Sequence, residues 1–160
     1  MPGWDTFAVV IGGAAGALIG LLFVSVSIRI EVISASPDFH NRGAQTLSLF
    51  TTVLLVAVLL GIPGQHEWEL GVELLVLALV LGGWLLWLDR RATASPSPQS
   101  ISRVLATVSP GTLTTLLLAV AGVLLLAGVD DGVYVVVPSV IAAMTGGVAS
   151  AWLFLTRITA

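Results

Sequence analysis

Cysteine is missing from this chain altogether, lysine is missing too, and only 9% of the residues carry a charge. Without cysteine there is no disulfide, no thiolate metal site and no cysteine nucleophile. Without lysine, all six basic residues are arginine, which reads as a bias of composition rather than as chemistry. The shortage of charge excludes the most. Globular domains carry about 25% charged residues, whereas here 57% of the 160 residues are hydrophobic and the mean hydropathy is +1.07. A soluble domain is therefore ruled out. Absent as well is the alternation of apolar and polar residues over about ten positions that a membrane β-barrel needs. What remains is an all-α fold, a polytopic transmembrane helical bundle read as a single transmembrane domain over 1–160.

Chemical motifs are equally sparse. The chain has no glycine-rich phosphate loop, no HExxH, no Ser-His-Asp set and no selectivity-filter signature. His66 with Glu67 and Glu69 offers too few ligands for a coordination sphere, and His40 has no recognisable partner. No metal, no cofactor and no enzymatic activity are expected. Six arginines spread over three connections suit lipid headgroups rather than nucleic acid.

What is present is a set of five apolar runs, expected as membrane spans at 7–28, 44–62, 70–88, 112–129 and 133–155. The first has twenty-two residues without a charge, about 33 Å as a helix. No basic residue precedes it and no small-residue cleavage pattern follows, so it reads as an anchor rather than a signal peptide. Gly12, Gly16 and Gly20 recur every four residues and are read as one bare groove, a surface where a second helix can come close. On that reading the first helix is the centre of the bundle or its contact with another copy. Ser36-Pro37-Asp38 should end its extension beyond the bilayer. Pro63-Gly64 and Asp130-Asp131-Gly132 read as tight turns, and Ser109-Pro110 as the N-cap and first position of the fourth helix. That fourth span is short. Ile101, Val104, Leu105 and Val108 suggest an interfacial helix over 101–108. In the last run an early Pro138 and the pair Gly146-Gly147 permit a bend or close packing.

Orientation follows from the arginines. Arg29, Arg42, Arg90, Arg91, Arg103 and Arg157 all fall in connections on one side, which the positive-inside rule makes cytoplasmic. The N-terminus is then outside, with Trp4, Trp68 and Tyr134 at the outer interface and Trp84, Trp87 and Trp152 toward the inner one.

Three groups of residues are candidates for chemistry. Glu67, Glu69, Asp130 and Asp131, with Asp5, form an acidic outer mouth that would concentrate cations. The plainer reading is that acids fall where arginines are excluded. Glu73 lies a turn inside the third span, where an ionised carboxylate is costly, and so is a candidate cation or proton site. Its alternative is to reach upward to the surface beside Glu69. Gln45, Ser48, Thr51 and Thr52 form a hydroxyl-amide stripe on the second helix, level with Ser25, Ser27, Arg29 and Glu31 of the first. A polar cluster between these two helices could line a wet path, or could simply join helices by hydrogen bonds.

The stretch Gly20-Leu21-Leu22-Phe23-Val24-Ser25-Val26-Ser27-Ile28, preceded by Ala14-Ala15-Gly16-Ala17, resembles the opening helix of small multi-pass integral membrane proteins of actinobacteria, themselves uncharacterised. The resemblance implies a bacterial plasma membrane and brings no activity and no functional residues with it. Two functions remain. One is a homo-oligomeric channel or transporter-like pore for small cations. The other is a non-catalytic protein that binds and regulates another membrane protein through its glycine-rich helix face. Expected partners are the lipid bilayer, further copies of the chain and small cations.

Overall fold

A computed structural model of the chain describes residues 3–28, 37–92 and 109–158. The described residues form five α-helices: α1 (Trp4–Ile28), α2 (Pro37–Leu60), α3 (Glu67–Ala92), α4 (Pro110–Leu126) and α5 (Val136–Ile158), with a 3₁₀ helix at Asp130–Val135 before the last. The described residues contain no strand. Four helical stretches are long and apolar enough to cross a membrane: α1, Gly43–Leu60 of α2, Glu67–Leu85 of α3, and the 3₁₀ helix running on into α5 to Trp152. The remaining helix, α4, has 17 residues and is about 25 Å long, below the roughly 30 Å of a hydrocarbon core.

Local chemistry explains the boundaries. Pro37 does not only follow α1; it opens α2, at the one helical position where a missing N–H costs nothing. The turn after α2 has Gly64 at φ +74°, and α3 then begins on a cap in which the His66 N–H donates to Glu69 Oε2 at 2.9 Å. Ser109 is the N-cap of α4, its Oγ accepting from the Thr112 N–H at 3.2 Å, with Pro110 next. At the other end the helix stops at Leu126, short of the expected 129. Gly128 adopts φ +75°, and Gly128 and Val129 donate back to Leu125 and Leu124 in a Schellman arrangement. Asp130-Asp131-Gly132 is consequently the start of the 3₁₀ helix rather than a tight turn, and α5 begins at Val136 instead of 133. Pro138 sits in the first turn of α5, where no backbone donor is lost. The expected helix at 101–108 lies outside the described residues.

The packing places α2, α3, α4 and α5 in a ring, each touching the next, with α4 wedged closely between α3 and α5. Their facing residues close an apolar core of Leu49, Val53, Val56, Leu74, Leu118, Ala121, Val136, Val140 and Ala143. The tightest seam joins α3 to α4 through small residues. A Cβ on Gly122 would stand 2.8 Å from the Gly71 carbonyl oxygen, and one on Gly82 would stand 2.6 Å from Thr115. Such backbone proximity replaces the hydrophobic drive that lipid does not supply. Gly146 and Gly147 serve close packing of the same kind: a Cβ on Gly146 would overlap Pro110, and one on Gly147 would meet the Phe50 ring at 2.5 Å. On the outer face of α4, Leu113, Leu116, Val120, Val123 and Leu126 form an exposed apolar stripe.

The first helix is not the centre. It lies outside the ring along α2 and touches α5 at few points. Only 17% of its apolar window is buried, against 44% for α2 and α5. Ala8, Ile11, Ala15 and Leu22 form its buried stripe, and the Trp4 ring meets Tyr134 edge-on at 5.3 Å. Helical geometry explains the correction. A four-residue step turns the helix about 40° past a full turn, so a glycine at every fourth position spirals off any straight contact line. Gly12 still meets α2, its virtual Cβ 3.1 Å from Ala57; Gly16 and Gly20 have nothing within 4 Å.

Candidate functional site

Two cavities between the described helices bear on the expected polar cluster. The larger, about 620 Å³, is an outward-opening groove between α2 and α3, walled by Leu47, Ser48 and Thr51 on one side. Val80, Leu81, Gly83, Trp84 and Trp87 form the other wall. The two indoles stack at 5.0 Å between ring centroids, with 26° between their planes. The smaller cavity, about 140 Å³, lies where α1, α2 and α5 meet and is lined by Leu18, Leu21, Leu22, Ser25, Phe50, Val148 and Ala151.

These cavities divide the polar cluster expected between the first two helices. Ser48 and Thr51 face the groove toward α3, while Ser25 faces the smaller space beside α5. Ser27 is exposed, Gln45 is half-buried and Thr52 is buried. Arg29 and Glu31 lie outside the described residues. The hydroxyls are occupied within their own helices: Ser25 donates to the Leu21 carbonyl, Ser27 to Phe23, Ser48 to Ala44 and Thr52 to Ser48, all at 2.7–2.8 Å. Hydroxyls that bond back one turn spend their proton on their own helix and soften it slightly. One side-chain hydrogen bond does cross between helices at depth, from the buried Ser139 Oγ to the Thr114 carbonyl at 3.0 Å. Among the described residues no buried side-chain nitrogen or oxygen lacks a partner.

The acids gather at one end of the bundle. Glu67 and Glu69 stand in the first turn of α3, and Asp130 and Asp131 in the first turn of the 3₁₀ helix, with the Glu67 carboxyl neighbouring Asp130. Glu73 is half-buried and accepts from Gln65 Nε2 of the preceding turn, so its carboxylate is engaged with the end of the molecule and not with its middle. Glu69 completes the α3 cap, 3.5 Å from His66 Nδ1. Among the described residues no three His, Asp or Glu side chains come together as metal ligands.

Sequence reasoning missed two features. The groove depends on Val80, Trp84 and Trp87, one stripe at helical spacing, but its opposite wall is fixed only by tertiary packing. The small-residue seam could have been found in Gly71, Ala78 and Gly82 against Gly111, Thr115 and Gly122, whose wider spacing is less conspicuous than three glycines in step. No protein-family model matches the chain, and neither a curated protein nor a solved structure does.

Proposed function

We propose that this chain is a non-catalytic protein of the bacterial plasma membrane that works by lateral association, with a second copy packed against the uncovered arc of α1. The supporting observation is the state of that arc: Gly13, Gly16 and Gly20 have nothing within 4 Å, while Ala8, Ile11 and Ala15 on the other side are buried against the bundle. A helix that is packed on one side and carries three uncovered glycines on the other, among exposed Val9, Val10 and Val24, offers the close approach that membrane helices use to pair. Two equal arcs also satisfy a two-fold contact without a second kind of surface. Dilution of fluorescently labelled protein in liposomes tests this by energy transfer. The wild type should self-associate, and Gly16→Leu with Gly20→Leu should weaken association about tenfold or more, worth about 1.4 kcal/mol, without loss of helix content. Monomeric wild type, or association indifferent to both substitutions, would sink the reading; capture of a different membrane protein by the same arc would replace the partner.

A second reading, a cation path between copies, is favoured by the carboxylates of Glu67, Glu69, Asp130 and Asp131 at one end. The apolar core and internally satisfied hydroxyls direct such a path to a subunit boundary rather than to the middle of one copy. Ion flux into liposomes holding only this protein decides it. Glu73→Gln should lower flux with assembly intact, and a wild type that passes no ion excludes the reading.

A further inference from the structure

The groove between α2 and α3, at about 620 Å³, is within the range of about 300–1,000 Å³ typical of small-molecule sites. It persists because Gly83 leaves it open: a Cβ there would meet nothing within 4 Å. Its lining is graded. Leu47, Val80 and Leu81 are aliphatic, while the stacked Trp84 and Trp87 are the amphipathic rings that sit where hydrocarbon meets headgroups. Beyond Trp87 the helix continues through Asp89-Arg90-Arg91 to Ala92. At about 100° per residue, position 91 falls within about 20° of position 84, and position 89 about 140° away. By helix register alone, an arginine position therefore ends the face that carries the indoles and position 89 falls on another face, and none of the described residues lining the groove is acidic.

We propose that this groove binds one phospholipid with an anionic headgroup, its acyl chain against Leu47, Val80 and Gly83 and its phosphate at the arginine end of α3. Charge selects this occupant. A basic helix end beside an apolar slot at the membrane boundary suits an anionic lipid, whereas the α1 arc that pairs helices carries no charge in its span. The site is separate from that arc and does not depend on the association proposed above.

Bromine on an acyl chain quenches tryptophan on contact, so the test uses phosphatidylcholine vesicles with a minor fraction of lipid brominated in the chain, either phosphatidylglycerol or phosphatidylcholine. The groove signal is the difference between the wild type and the Trp84→Phe/Trp87→Phe variant. Brominated phosphatidylglycerol should quench it severalfold more than brominated phosphatidylcholine. Gly83→Leu, which fills the slot, should reduce quenching by phosphatidylglycerol to the phosphatidylcholine level; if that variant loses its helix content, Ser48→Leu on the opposite wall is read in its place. Arg91→Gln should abolish the preference. Equal quenching by the two lipids in the wild type, or a preference that survives the filled groove, overturns the proposal. So does a groove dark to both lipids whose filling converts a dimer to a monomer, since a second copy then occupies it.

Discussion

Gly122 shows how little room single residues have in this molecule. Its virtual Cβ stands 2.7 Å from Leu75 Cγ and 2.8 Å from the Gly71 carbonyl oxygen, and a carbonyl in the middle of a helix cannot turn aside. Gly122→Ala should therefore cost about 1–3 kcal/mol, the usual penalty of overpacking, measured as loss of thermal stability in detergent. Gly43→Ala, with open space around it and no place in the α1 arc, should cost nothing. Between these lies Ser139→Ala, which removes the one described hydrogen bond from a side chain to another helix and should cost about 0.6 kcal/mol, the average for such bonds in membranes. An order of effects with Ser139→Ala above Gly122→Ala would mean that hydrogen bonding and not backbone approach joins α4 to its neighbours. At this scale the sequence was legible where chemistry is local. Ser109-Pro110 announced its cap, and the turn at Pro63-Gly64 was readable because φ > 0 needs glycine. Gly128 carried the same kind of signal, and the acids after it drew attention away. Glu73 was recognisable as an acid at depth, but its engagement with Gln65 depends on how the turn folds back.

Among the elements, all five helices could be read from apolar runs, yet their arrangement could not. Every helix here is apolar on most of its surface, so periodicity does not tell a face that meets lipid from one that meets protein. That is why α1, with the most conspicuous glycines, was expected either at the centre or at a contact between copies and sits at the edge of the ring, which is held by the less regular glycines of α3, α4 and α5. The groove was half legible: Ser48 and Thr51 were marked as a polar stripe, and the wall they face was not. An edge helix should also loosen first. Trp4 holds the start of α1 through edge contacts with Phe7 at 5.4 Å and Tyr134 at 5.3 Å. Aromatic pairs of this kind contribute about 0.5–1.5 kcal/mol each beyond their buried area. Trp4→Ala should speed amide exchange in the first turns of α1 and leave α4 unchanged; acceleration throughout would show that α1 is integral to the ring after all.

In the molecule as a whole, Asp38 and Asp89 stand in the helix ends that also carry arginine, while four acids, Glu67, Glu69, Asp130 and Asp131, collect at one end. Crowding of like charge there has a direct test. Asp130→Asn keeps a hydrogen-bonding side chain beside Glu67 and removes the like charge, so it should raise thermal stability at neutral pH, and the gain should shrink in salt, since exposed charges are screened over about 8–10 Å at physiological strength. A loss of stability would mean that the pair is held by more than proximity. By the positive-inside rule the arginine asymmetry predicts an external acidic end, so reporter fusions should give a cytoplasmic signal at residue 95 and an external one at residue 131. Reversed signals at both would invert the molecule. The exposed stripe of α4 has a mechanical consequence. From Leu113 to Leu126 it offers lipid only about 20 Å of hydrocarbon-compatible surface, well under a bilayer's thickness. The membrane must dimple on that one side or the bundle must lean toward it, at a fraction of a kcal/mol per Å of mismatch. The bundle should accordingly be more stable against heat in short-chain bilayers than in long-chain ones, which thermal unfolding in vesicles of the two kinds checks. Two copies that share one dimple deform less membrane than two apart, an attraction that needs no contact between their side chains.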